Sequence, residues 1–193
     1  MNRRDLLKCL GLSALPIPAW AFGDSSKMGV AQLEMGSGTL LRPTAWSRLL
    51  YEVQLTTSIE TASTVVSLDP ESPALFSYPF SVLVGEGRLP SLSPTTVKKL
   101  RDYLTYGGFL FIDDSSGMEG SPFDTGVRDL LQQIFPTHPL VPLPSDHSLY
   151  RAFFLIDRPM GRVNTTPWLE GITLGETTRV VYCRNDLSGA LAR

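Results

Sequence analysis

The chain is poor in the residues that staple or metallate small domains, with two cysteines and two histidines among 193 residues. Cys9 lies near the start, and without that segment Cys183 stands alone, so the fold rests on its core and not on disulfides. Two histidines, His138 and His147, fall short of most zinc ligand sets unless carboxylates help. Seventeen basic against nineteen acidic residues give a formal charge of −2, without the basic excess that a nucleic-acid face requires. Two motifs are also missing. Gly85-Glu86-Gly87 is followed by Arg88-Leu89-Pro90 and not by a third spaced glycine opening a helix, and there is no Gly-x-Ser-x-Gly elbow for a nucleophilic serine. Repeats, low-complexity runs and a second domain are absent as well.

What is present begins with residues 1–21, which have a basic start, an apolar middle from Leu6 to Ile17 and a small-x-small site at Ala19-Trp20-Ala21. This reads as an export signal, too short and too interrupted by proline to span a bilayer. Arg3-Arg4, followed by Asp5, Leu6-Leu7 and Lys8, resembles the twin-arginine signal, which implies export of an already folded protein into the periplasm. A general secretory signal is the alternative reading, and both place the mature protein outside the cytoplasm. Lys8 before Cys9 is not a lipoprotein context. Removal of the signal takes the formal charge from −2 to −4 and leaves a short linker, 22–28, and one domain over 29–193 with no membrane span.

The periodicity of that domain predicts α/β architecture. Strands are expected over 29–35, 64–68, 81–84, 109–112 and 179–183, and helices over 43–56, from Ser93-Pro94 to Gly107, and over 124–135. Thr44 is the expected cap of the first helix and Ser93 that of the second. The unit SVLV, helix, FLFI reads as a crossover between parallel strands. Residues 136–144, with four prolines, are expected to be extended, residues 168–172 to be a loop, and residues 185–193 to end without a terminating element, as in a fragment.

Function is expected beyond the carboxyl ends of the strands. The sharpest polar feature there is Asp113-Asp114-Ser115-Ser116 after a buried strand. Adjacent carboxylates on a strand end point to opposite sides, so they do not form a shared-proton dyad. One could bind a divalent cation such as magnesium or calcium with a serine hydroxyl nearby, or either could cap the next element. Gly85 and Gly87 suit a binding loop or a tight turn, Asp146-His147 is a plausible hydrogen-bonded pair, and Cys183 reads as a buried strand residue.

Several stretches together resemble the bacterial domain-of-unknown-function family 4159, of the class I glutamine amidotransferase-like superfamily. They are Phe76 to Phe80, Val82 to Gly87, Leu100-Arg101-x-Tyr103-Leu104-x-x-Gly107-Gly108-Phe109 running into Asp113-Asp114, Phe135-Pro136, Leu143-Pro144-x-Asp146-His147, and Asn185-Asp186-Leu187. The resemblance implies a three-layer, flavodoxin-like fold with a mainly parallel sheet. In active amidotransferases the turn after such a strand carries a nucleophilic cysteine, aided by a later His-x-Glu pair. Here Asp113 and Asp114 occupy that turn, and neither His138-Pro139-Leu140 nor His147-Ser148-Leu149 supplies the pair. The leading expectation is therefore a non-catalytic domain of the cell envelope that binds a small molecule or an envelope protein. Its surface would be built from Gly85, Gly87, Arg88, Asp113, Asp114, Ser115, Ser116, Asp146 and His147, with no cofactor required. The alternative is a metal-assisted hydrolase using Asp113 or Asp114 with His147 as proton carrier.

Overall fold

The computed structural model describes residues 27–36 and 38–192. The expected export signal, with Arg3, Arg4 and Cys9, lies outside the described residues. Among the described residues thirteen elements follow one another: β1 (Val30–Leu33), α1 (Pro43–Thr56), β2 (Val66–Leu68), a 3-10 turn (Pro73–Ser77), β3 (Phe80–Gly85), α2 (Pro94–Thr105), β4 (Phe109–Asp114), α3 (Pro122–Ile134), β5 (Val141–Pro142), a second 3-10 turn (Ser148–Tyr150), β6 (Glu170–Leu174), β7 (Thr177–Cys183) and α4 (Leu187–Leu191). The strands form one sheet in the order β2-β1-β3-β4-β7-β6-β5. The first five run parallel, β6 is antiparallel to β7, and β5 is antiparallel to β6. This is an α/β fold with a mostly parallel sheet and four helices, compatible with the three-layer flavodoxin-like architecture.

The central unit shows why these residues fold this way. Ser93 caps α2 by accepting a hydrogen bond from the Thr96 amide at 3.0 Å, and Pro94 takes the first helical position. Past the helix, Gly107 turns the chain at φ 120, and Gly108 leaves room for the Tyr103 ring, 2.4 Å from where a Cβ would sit. Tyr103 donates to the carbonyl of Tyr78 at 2.7 Å, fixing the helix to the entry of β3. The chain then re-enters the sheet as β4, paired in parallel with β3 from Phe80–Phe109 to Gly85–Asp114.

Because alternate strand residues point to opposite faces, the sheet has two cores. Leu83, Leu110, Ile112, Val180 and Tyr182 pack with α2 and α3 through Leu100, Leu104, Val127 and Leu131. Val82, Val84, Phe111, Val181 and Cys183 pack on the other face with Trp46 and Leu50 of α1. Trp46 meets Phe111 edge to face with ring centroids 5.9 Å apart. The Cys183 thiol is 1% exposed, and burial, followed by the negative charge of Asp113, pushes its pKa well above the usual range. It is held as a thiol in the core, not poised as a nucleophile.

Three local expectations are corrected. Residues 168–172 are a loop only at Trp168 and Leu169: Glu170–Leu174 is a strand that turns at Gly175, φ 62, into β7. The edge pair Val141–Gly171 then recruits the proline-rich segment as β5. The chain does not end bare, since Asp186 adopts a left-handed conformation, accepts from the Gly189 amide at 2.9 Å and starts α4. Helix α1 lacks its expected threonine cap, because Pro43 already opens it and Arg42, also left-handed, precedes it.

The sheet and α3 meet closely at Gly85, with the Phe123 ring 2.2 Å from where a Cβ would sit. Phe123 is fully buried and has nowhere to yield. Gly85→Ala is expected to destabilise the fold by about 2–3 kcal/mol through overpacking, read as a lower urea midpoint at unchanged m-value.

Candidate functional site

The strand order reverses between β1 and β3, whose carboxyl ends flank the crevice where open α/β sheets bind ligands. In this chain the loop after β1 folds back into that crevice. Thr39 forms an antiparallel bridge with Gly85 and accepts a hydrogen bond from the Met35 amide at 2.9 Å. A Cβ on Gly38 would lie 3.4 Å from the Cα of Gly87. Gly85 and Gly87 thus admit the Phe123 ring and a neighbouring loop, and Arg88 turns outward along a small groove against α3 with Asp129 and Gln133.

At the end of β4, Asp113 and Asp114 are fully buried and diverge to opposite faces. Asp113 accepts from the amides of Leu187 at 3.0 Å and Ser188 at 2.7 Å, one to each carboxylate oxygen. Asp114 accepts from the Ser116 amide at 2.9 Å and from the Ser121 hydroxyl at 2.6 Å, while Ser121 accepts from the Asp124 amide and caps α3. Ser115 donates from both its amide and its hydroxyl to the carbonyl of Gly85. Ser116 accepts from Met118 in the turn. All four carboxylate oxygens therefore receive donors from the chain itself. Desolvation raises the Asp113 pKa to about 6, with the charge of Asp186 adding to it, against the pull of the bonds from Ser188 and Leu187.

Beside Asp113 lies a cluster that sequence reasoning did not assemble. The buried carboxylate of Asp186 receives both Arg42, at 3.1 Å, and Arg162. Arg162 also donates to the carbonyl of Ser115 at 3.2 Å. The side chains of Arg42 and Arg162, which share one acid, remain 36% and 34% exposed, while the Nε of Arg42 is buried without a hydrogen-bond partner. Among the described residues, the non-glycine residues with positive φ are Leu40, Arg42 and Asp186, at 64, 58 and 49. Each such conformation costs about 1–2 kcal/mol, and strain of this kind concentrates where function requires it. Asn185 uses its whole amide: Oδ1 accepts from Thr165 and Thr166, and Nδ2 donates to the carbonyls of Pro159 and Thr166. It thereby fastens the long loop before β6 to the end of β7. Asn185-Asp186 was visible in the family-like pattern, but nothing local pointed to Arg42, which lies 144 positions from its partner.

On the α3 side, a second network links Asp124, Arg128, Glu170 and Arg184, with Arg128 to Glu170 at 2.8 Å and Arg184 to Glu170 at 3.4 Å. Tyr182 donates to Asp124 at 3.1 Å, and burial, then the charges of Asp114 and Asp124, raise its phenol pKa strongly. These groups pair with one another and tie α3 to the β6–β7 hairpin.

Asp146 and His147 do not join the site. His147 Nε2 lies 2.9 Å from the Thr178 hydroxyl, near the start of β7, whereas Asp113 pairs with Cys183 at its end. Five strand residues, about 16 Å, separate the two positions. His147 Nδ1 accepts from the Leu149 amide and caps the second 3-10 turn, and Asp146 is exposed. The proposed surface is corrected accordingly, and the pairing of His147 with Asp113 or Asp114 for proton transfer is not available in this geometry. Among the described residues, no three histidine, cysteine or acidic side chains come together in a group able to hold a metal ion. No described helix is long and apolar enough to cross a membrane.

A family model described as a domain of unknown function, DUF4159, matches residues 29–193. No curated protein matches the chain.

Two outcomes follow from these contacts. The raised pKa of Asp113 means that its contribution to stability is full below about pH 3.8 and is lost as pH rises through about 6, by on the order of 3 kcal/mol. Urea unfolding from pH 4.5 to 7.5 should show this decline in the wild type and a flatter profile in Asp113→Asn, which is itself less stable because its amide faces a backbone N–H. Asn185→Ala strands one buried and one part-buried amide and two carbonyls and should cost about 3 kcal/mol. Limited proteolysis of that variant is expected to cut first within residues 157–168.

Proposed function

We propose that the chain, which belongs to this family of unknown function, is an exported, non-catalytic binding domain of the cell envelope on a degenerate class I glutamine amidotransferase-like frame. It takes an anionic group, carboxylate or phosphate, of a small molecule or envelope protein at the carboxyl-end surface around Arg42, Arg162 and Ser116. The observation that carries this reading is the state of the turn after β4. Its carboxylates are bound by the chain's own donors, while two part-exposed guanidiniums beside it share one buried acid. A group engaged on every oxygen is a poor base or metal ligand but a good brace. Guanidiniums whose direction is set by a fixed carboxylate are preorganised to recognise planar or tetrahedral anions, with little rotamer entropy left to lose. Strained backbone lies at Arg42 itself, at nearby Leu40 and at the shared acid Asp186, consistent with a site held in one geometry before ligand arrives.

Thermal shifts and titration calorimetry with phosphate, citrate and sugar phosphates test the reading. Binding is expected to weaken at least tenfold in Arg42→Lys and in Arg162→Lys, which keep the charge but lose the planar fork. Affinity unchanged in both variants would count against the site. Turnover of ester or phosphate substrates, with or without added divalent cation, that Asp114→Asn abolishes would count against the absence of catalysis.

A further inference from the structure

The run Arg151-Ala152-Phe153-Phe154-Leu155-Ile156-Asp157-Arg158-Pro159-Met160, in the loop that leads to Arg162, is exposed at nine of its ten positions, with Pro159 intermediate. Phe153, Phe154 and Leu155 are 62%, 66% and 85% exposed, and Ile156 and Met160 are also exposed. We propose that this loop docks the protein on an anionic lipid surface, the apolar tip entering the interface between headgroups and acyl chains while Arg151 and Arg158 bind lipid phosphates.

The loop has a rigid base and a protruding tip. Ile156 donates its amide to the carbonyl of Tyr150 at 2.9 Å, closing the turn. Tyr150 is buried, and its hydroxyl accepts from the Leu169 amide at 2.9 Å. Phe153 and Phe154 pack edge to face at 4.7 Å, so the tip is an ordered apolar knob and not a loose tail. Its exposed apolar area, from Phe153 to Ile156, is on the order of 500 Å², which is large for one short loop on a soluble domain. A stable protein interface covers about 800 Å² per partner and is flatter. A convex tip of this size fits a deformable bilayer better than a second copy of the chain.

Charge points the same way. Arg151 and Arg158 are exposed and form no ion pair among the described residues, and Asp157 is the one acid in the run. The chain as a whole is acidic, at −2, so general attraction to an anionic membrane is absent and the local arginines must orient the molecule. Long arginine stems lie along apolar surface while their heads reach phosphate. An apolar insertion combined with basic residues supplies the two signals that reversible membrane binding needs.

Flotation of the full chain with vesicles of phosphatidylcholine alone, or with 30% phosphatidylglycerol (about one anionic lipid in three), tests the proposal. Binding is expected only to the mixed vesicles and is expected to fall with salt. Combined Phe153→Ser, Phe154→Ser and Leu155→Ser should abolish it with an unchanged melting temperature, since these side chains are outside the core. Arg151→Gln with Arg158→Gln should lower it by on the order of tenfold. In Phe154→Trp, the fluorescence gained over wild type should be quenched by brominated phosphatidylglycerol, placing the tip itself in the lipid and separating it from any binding by the N-terminal segment. Equal binding to both vesicle types, absence of quenching, or a loop-dependent dimer that ignores vesicles would overturn the proposal, the last in favour of a protein interface.

Discussion

The burial of two adjacent carboxylates at the end of the central strand is the constraint on which the rest of this molecule depends. Extended backbone sends neighbouring side chains to opposite faces, so Asp113 and Asp114 each enter a different layer. A buried carboxylate is tolerated only when its oxygens are hydrogen-bonded. Asp113 meets this demand with the first amides of α4, and Asp114 with the turn at Ser116 and the capping serine of α3. One strand end thus determines where two helices begin, on both sides of the sheet.

The same requirement organises the surface above it. Asp186 precedes α4 in a left-handed conformation and, being buried, draws in Arg42 from the loop after β1 and Arg162 from the loop before β6. Asn185 holds the latter loop down through all its amide hydrogen-bonding groups. The outcome is a carboxyl-end surface whose acids face inward and whose guanidiniums reach outward. The acids of this surface already have partners within the chain. The exposed tip at Phe153 to Ile156 departs from this economy: its base is tied down, yet its apolar side chains are left in water.

Much of the fold was legible in the sequence because it rests on local signals. Ser93-Pro94 starts α2, Gly107-Gly108 ends it, and the apolar runs on either side pair as parallel neighbours. The divergence of Asp113 and Asp114 followed from strand geometry alone, and the burial of Cys183 from the apolar run that precedes it. Less was legible at the site. Gly85 and Gly87 are glycines because a ring and a loop lie against them, a reason no local pattern contains. His147 sits beside an aspartate in sequence, but its ring binds Thr178 at the far end of a strand. Strand β6 was hidden because Glu170 and Gly171 have low strand propensity; Glu170 is acceptable there only because Arg128 and Arg184 neutralise it.

By itself the sequence determined the class of fold, the central crossover and the place of two carboxylates on opposite sides of one strand end, since these follow from periodicity, capping and φ/ψ preferences over a few residues. Only the tertiary structure decided what those carboxylates do. The donors to Asp113, at Leu187 and Ser188, lie more than seventy positions away, whereas those to Asp114, at Ser116 and Ser121, are local, and the Arg42–Asp186 pair spans 144. Contacts at that separation depend on the register of the whole sheet. For that reason the turn after β4, which the sequence leaves open as a cation site or a cap, is in the folded protein a brace.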